Sequence, residues 1–181
     1  GALASLHDRL EEQHGEGVLV ANLASAVLTA DAARNLLAAL PRAGERERRG
    51  IVIVLGWVRG EGIEEALAGA LAHLDVRRLA ADILARRGAP AIPPLLGALQ
   101  SEDVEVRKAA ATALGGIGEP RAVPALIELL VDHPEVAVVA AGALARIGDP
   151  DALEPLLAQL DHPQAAVRQA GVGTLNLIGH P

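Results

Sequence analysis

The sequence predicts an all-α fold assembled from a repeated pair of helices. The first observation is internal repetition, since four columns of residues recur every 30 or 31 positions along the 181-residue chain. The second is composition: hydrophobic residues make up 51% of the chain, yet Trp57 is its single aromatic residue. Cores of small aliphatic side chains suit closely packed helices, whereas strands favour aromatic residues. The repeating columns are Gly88, Gly118, Gly148 and Gly179; Pro94, Pro124 and Pro155; Leu84, Leu114, Leu144 and Leu175; and Val76, Val106, Val136 and Val167.

Each repeat predicts two helices joined by a short polar turn. The first helix begins at a proline, such as Pro120, because the N–H groups of a first helical turn have no helical partner in any case. A second proline, such as Pro124, is expected to bend this helix. The second helix carries apolar residues at helical spacing and ends at a glycine, such as Gly118, that suits a left-handed cap.

The repeat weakens toward the N-terminus but remains visible there. Residues 76–84 align with residues 106–114, and residues 2–29 predict one more pair of helices. We therefore predict a single continuous domain of about six helical hairpins, degenerate over residues 1–60 and regular over residues 61–181.

Charge and composition argue against several classes of function. The net charge of −7 disfavours nonspecific binding to nucleic acid; residues 1–88 hold 11 basic and 12 acidic side chains, and residues 89–181 hold 5 and 11. Without cysteine the chain has neither disulfides nor thiolate chemistry. No apolar run approaches the roughly 20 residues that span a bilayer, and no signal-peptide pattern opens the chain. We therefore expect a cytoplasmic protein that does not enter a membrane.

The repeat motif resembles a known family. Pro124–Leu130 has the form P-x-L-x-x-L, Val106–Gly118 contains V-R-x-A-A and A-L-x-x-I-G, and Ile147–Pro150 reads I-G-D-P. These motifs are similar to the HEAT-like repeats first named after phycobilisome lyases. The resemblance implies a right-handed α-solenoid whose second helices line a concave face. Related proteins include protein-binding scaffolds, tetrapyrrole lyase subunits, a di-iron hydroxylase and a DNA glycosylase, so the resemblance predicts a fold rather than a function.

An arginine stands near the start of successive second helices, and Ala137 interrupts this column. The column is either a basic stripe for an acidic peptide or a phosphate, or a ladder in which each arginine pairs with an acid of a neighbouring repeat or turn. Asp103 and Glu105 are candidate acids for the ladder. We favour the ladder, because a brace between repeats also requires one arginine per repeat. The column consists of Arg48, Arg77, Arg107 and Arg168, with Arg49, Arg78 and Lys108 beside it.

Trp57 and two histidines are further candidates. Trp57 aligns with Gly116, and it is either a binding hot spot or a cap over a gap between repeats. His133 and His162 occupy equivalent turns, but equivalent points on stacked helices lie about 8 to 10 Å apart, too far for donors that each approach one metal ion to about 2 Å. No histidine precedes a glutamate directly, and no serine or glycine-rich loop has a catalytic motif around it. We therefore expect no metal, no cofactor and no enzymatic activity.

The sequence thus predicts an interaction module that binds a protein or peptide along the concave face. The alternatives are an accessory or catalytic subunit of a tetrapyrrole lyase and a nucleic-acid-binding domain. An uncapped last repeat also predicts a homodimer, and a smoother patch is expected at Ala137, Val138, Ala141 and Ala145. The residues predicted to contact the partner are Arg48, Arg49, Trp57, Arg77, Arg78, Arg107 and Lys108.

Overall fold

The computed structural model describes the backbone of residues 30–178 and the side chains of residues 35–176, so the predicted helices of residues 2–29 lie outside it. Within this part of the chain, five helical hairpins follow one another and no strand occurs. None of these helices is long and apolar enough to cross a bilayer. The first helices of the hairpins are α1 (Ala30–Ala39), α3 (Ile63–Gly69), α5 (Ile92–Ala98), α7 (Val123–Glu128) and α9 (Leu153–Ala158); the second helices are α2 (Glu45–Trp57), α4 (Arg77–Arg87), α6 (Val104–Ile117), α8 (Pro134–Ile147) and α10 (Ala165–Ile178).

The first helices of the regular repeats are short because 3-10 turns adjoin them. Pro120–Ala122 forms such a turn before α7, and Leu129–Val131 forms another after it. Pro120 therefore begins the 3-10 turn, while Pro124 lies in the first turn of α7, where its missing N–H breaks no helical hydrogen bond. The prediction of one continuous first helix bent at its second proline is corrected to a junction of two helical elements.

Caps at both ends define the second helices. Gly118 and Gly148 adopt left-handed backbone angles, with φ of 76° and 70°, and each donates its N–H to the leucine carbonyl four residues earlier. A side chain bearing Cβ is strained in this conformation, which explains the spacing of the glycine column. At the other end of α6, the Asp103 carboxylate accepts the N–H of Glu105 at 2.8 Å and caps the helix.

The chain divides into two compact units, residues 1–84 and residues 85–181, and each has a core made of aliphatic side chains. Burial of these side chains between neighbouring hairpins is the main stabilising contribution, because a single hairpin cannot cover its own apolar face. The largest fully buried side chains are Ile51, Leu55, Ile63, Leu67, Leu71 and Leu84 in the first unit and Leu95, Leu99, Leu114, Leu126, Leu130 and Leu144 in the second.

Small residues let second helices approach each other closely in the unit of residues 85–181. A Cβ added to Gly115 of α6 would lie 2.7 Å from the Cα and 2.8 Å from the Cβ of Ala143 in α8. Because these distances are shorter than van der Waals contact, the crossing of α6 and α8 requires glycine at this position. The close crossing of second helices therefore explains why the chain has few aromatic residues and many alanines.

Replacing Gly115 with alanine should lower the free energy of unfolding by about 1 to 3 kcal/mol, because the new methyl group must displace backbone atoms of α8. The matched control is Gly97→Ala in α5, where an added Cβ meets no atom within 4 Å; this variant should gain about 0.5 to 1 kcal/mol from the better helix former. Urea unfolding followed by circular dichroism measures both values. Equal stability of the two variants would contradict the close helix crossing.

Candidate functional site

Arg107 of α6 is held in place by two kinds of acceptor. Its Nη1 donates to the carbonyl oxygens of Ser101 and Glu102, in the turn of its own hairpin, at 2.7 and 3.1 Å. Its Nε and Nη2 donate to the two carboxylate oxygens of Asp132, in the turn of the next hairpin, at 2.7 and 2.9 Å. The Arg107 side chain is only 14% exposed. A bidentate pair of this kind fixes direction as well as distance, so Arg107 joins two consecutive turns.

The turn contact recurs along the arginine column. Arg77 donates to the carbonyl oxygens of the residues six and five positions earlier, at 2.7 and 3.5 Å, and Arg168 does the same at 2.8 Å for both. Arg48 donates to the carbonyl of Ala43 at 2.6 Å and pairs with Asp75 of the following hairpin at 2.8 Å. Carbonyls at the end of a helix have no partner within the helix, and these guanidinium groups supply one. The column thus has the geometry of a brace within and between hairpins.

Asp132 is charged in this brace. Partial burial acts to raise the pKa of its carboxyl group, but the hydrogen bond from the His133 N–H and the guanidinium of Arg107 outweigh burial and lower the pKa below its ordinary value of 3.8. A carboxyl group whose pKa is lower in the folded chain stabilises the fold at higher pH, where it is ionised.

Lys108, the next residue of α6, bridges two exposed carboxylates. Its Nζ lies 2.7 Å from Glu105 and 2.8 Å from Glu135 of α8. The hydrogen bond to Glu105 is the main cause of a raised pKa at Lys108, and the hydrogen bond from Lys108 lowers the pKa of Glu135. Exposed ion pairs of this kind contribute little to stability, so another carboxylate can replace Glu105 or Glu135 at Lys108.

Three of the predicted contact residues lie on the outer surface of the unit of residues 1–84. Arg49 of α2 and Arg78 of α4 are exposed, and Trp57 is half-buried at the last residue of α2. Arg78 makes no hydrogen bond or ion pair with the described part of the chain. The helices that carry these residues touch, because a Cβ at Gly56 would lie 3.0 Å from the side chain of Ile83. Arg107 and Lys108 belong to the other unit.

An open groove between α8 and α10 was not predicted as a whole. It has a volume of about 630 Å³. Of the patch predicted on α8, Val138 and Ala145 line the groove, whereas Ala137 and Ala141 are buried, because the face of α8 that packs on its neighbours is also alanine-rich. The sequence signal that identifies the groove is a pair of glycines inside helices, 31 positions apart. The lining residues are Val138, Gly142, Ala145, Arg146, Ala170, Gly173 and Thr174.

The two histidine turns do not assemble metal ligands. Among the residues that the structure describes, no three histidine, aspartate or glutamate side chains could hold a metal ion together. His162 instead accepts the N–H of Gln164 through its Nδ1 at 3.1 Å, which makes it part of the local turn.

Comparison with known proteins identifies the repeat. The family described as HEAT repeats matches residues 63–135 and 132–181. No curated protein matches the chain at a significant level. Among solved structures, the chain is similar to the complex of CpcE and CpcF of phycocyanin lyase from Nostoc sp. PCC7120, at 26% identity and a TM-score of 0.57, covering 83% of this chain and 65% of that one.

Two further structures share the fold at 19% identity. Human deoxyhypusine hydroxylase has a TM-score of 0.54, with 84% of this chain and 75% of that chain covered. Computationally designed armadillo repeat proteins for modular peptide recognition have a TM-score of 0.52, with 97% and 99% covered. These likenesses, together with the helical hairpins, confirm the predicted fold class of an all-α solenoid.

Arg107→Ala should lower the free energy of unfolding by about 2 to 3 kcal/mol, because it leaves Asp132 and two turn carbonyls without their donor. Arg107→Lys should restore only part of this loss, since an ammonium group cannot bind the carboxylate in a bidentate manner. Arg78→Ala is the control and should change stability by less than about 0.5 kcal/mol. Thermal and urea unfolding of the three variants measure the differences, and equal stability of the two alanine variants would refute the brace.

The contribution of Asp132 should depend on pH with a defined sign. Because its pKa is lowered by folding, the stability advantage of the native chain over Asp132→Asn should be complete above the ordinary pKa of 3.8 and disappear as the pH falls through the lower pKa of the folded chain. Urea unfolding at a series of pH values tests this expectation. Asp151→Asn, which removes an exposed carboxylate outside the brace, is the matched control.

Proposed function

Because this chain belongs to the HEAT repeat family, we propose that it is a non-enzymatic module that binds a protein or peptide on the exposed surface of its second helices. Family membership leaves the function open, since the same fold serves many purposes. The support for binding comes from exposed and half-buried side chains on the second helices.

The observation that carries this proposal is a row of side chains along α2. Arg49, Ile53 and Trp57 follow one another at intervals of four residues on one side of the helix, with Arg49 exposed and the other two half-buried. At a rise of about 1.5 Å per residue, Arg49 and Trp57 lie about 12 Å apart along the helix axis. Arginine and tryptophan are the residue types that most often dominate binding energy at protein interfaces.

The neighbouring helix adds a cation that the fold does not use. Arg77 of α4 binds turn carbonyls, whereas the next residue, Arg78, is exposed and has no partner within the described residues. The unpaired Arg78 attracts an acidic segment locally even though the chain has a net charge of −7, and the attraction weakens as salt rises. The expected partner therefore presents both acidic and apolar side chains.

A subunit of a tetrapyrrole lyase is the second candidate, and the 26% identity to the complex of CpcE and CpcF of phycocyanin lyase supports it. That protein is a complex of two chains, so this candidate also involves a protein partner. The absorption spectrum of the purified chain separates the two candidates, because a bound tetrapyrrole absorbs visible light and a peptide does not.

Substitutions on the surface that Trp57 of α2 and Arg78 of α4 form should abolish partner capture without unfolding the chain. We expect Trp57→Ala and Arg78→Glu each to reduce the amount of partner recovered from a lysate of the source organism at least tenfold, measured by quantitative mass spectrometry. Arg121→Glu is the matched control, because its side chain is 66% exposed and belongs to the 3-10 turn Pro120–Ala122 rather than to a second helix. Helical circular dichroism should be unchanged in all three variants. Capture of the same partner in equal amounts by all variants, or no reproducible partner, would contradict the proposal.

A further inference from the structure

Gly142 of α8 and Gly173 of α10 are glycines that the fold does not require. Both are exposed inside helices, and a Cβ added to either would meet no atom within 4 Å. Their φ angles are not positive, so backbone conformation does not explain them. By contrast, Gly115 is explained by its close contact with α8. Glycine inside a helix is less favourable than alanine, so Gly142 and Gly173 reduce stability, and no packing contact within the described chain compensates for this loss.

Both glycines lie on opposite walls of the groove between α8 and α10. The wall on α8 includes Val138 and Ala145, and the wall on α10 includes Ala170. Because every one of these side chains is small, the helix backbones remain accessible and the groove keeps its volume of about 630 Å³. That volume lies in the range of about 300 to 1,000 Å³ found for binding clefts.

Thr174 is an independent sign that the groove takes a ligand. Its side chain lines the groove and the residue is only 4% exposed, yet its hydroxyl group has no hydrogen bond to the residues that the structure describes. The hydroxyl oxygen itself is not fully buried but opens into the groove, where a bound molecule can exchange a hydrogen bond with it.

Arg146 determines the charge of the occupant. It lies at the same groove, is exposed, and forms no ion pair with the described residues. Lys108, in comparison, already bridges two carboxylates of α6 and α8. An unpaired guanidinium beside an apolar groove complements a segment that combines an apolar side chain with a carboxylate.

We propose that the groove between α8 and α10 is a peptide-binding subsite that takes one bulky apolar side chain between Gly142 and Gly173 and pairs Arg146 with an adjacent acidic residue. This proposal rests on the proposed function and assigns part of the peptide to the unit of residues 85–181.

The test begins with a displayed library of random dodecapeptides selected against the full chain. The expected result is enrichment of peptides with a large apolar residue close to an aspartate or glutamate. A fluorescent synthetic copy of the most enriched peptide is then titrated against the chain and its variants by fluorescence anisotropy.

Filling the groove should weaken the binding of this peptide and leave the fold intact. Gly142→Leu should raise the Kd at least tenfold while the melting temperature stays the same or rises by a few degrees, because leucine is the better helix former and meets open space. Gly97→Leu is the matched control, a helical glycine with equally open surroundings in α5, and should leave the Kd unchanged. Arg146→Glu should also raise the Kd at least tenfold, and exchanging the acidic residue of the peptide for lysine should restore binding to that variant.

Three results would overturn the subsite. Peptides that bind Gly142→Leu as well as the native chain but are lost on Trp57→Ala or Arg78→Glu place binding elsewhere and leave the proposed function intact. Self-association that Gly142→Leu abolishes, with no peptide enriched, assigns the groove to a second copy of the chain. No enriched peptide together with no captured partner refutes the subsite and the proposed function alike.

Discussion

The guanidinium brace at the start of a second helix is the polar interaction that fixes how one hairpin meets the next. A helical hairpin leaves carbonyl groups without partners where its first helix ends, and those groups lie against the next layer of the stack. Arg107 satisfies two of them and, through Asp132, fixes the turn of the following hairpin at the same time. Because the brace consumes one side chain at a defined position, the next position along the helix, as at Arg78, is turned outward.

The hairpin that lacks the arginine shows what the brace otherwise supplies. Ala137 stands at that position in α8 and is buried, while the turn before it is held from outside by Arg107. With a methyl group in place of a long cationic side chain, α8 presents small residues instead of a charged edge. The groove between α8 and α10 begins at this change of chemistry, since Val138 follows Ala137 directly and lines it.

Local features of the fold could be predicted from the sequence, whereas the roles of individual side chains could not. Proline at a helix start and glycine in a left-handed cap depend on the geometry of one or two residues, so their spacing revealed the hairpins. The partner of Arg107 lies 25 positions away, at a distance set by how hairpins stack, and a sequence repeat does not contain that distance. Ala141 was wrongly placed on the surface because in an alanine-rich helix the buried and exposed faces have nearly the same composition.

Glycine shows most clearly why packing had to be known before function could be addressed. The sequence alone does not distinguish the roles of Gly118, Gly115 and Gly142. The backbone angles require glycine at the first position, and a neighbouring helix requires it at the second. Only the third has neither reason, and it lines a groove together with a second open glycine, Gly173, whereas the equally open Gly97 does not. The hydroxyl of Thr174 opens into the same groove without a partner among the described residues, so a single bound segment would make use of both features.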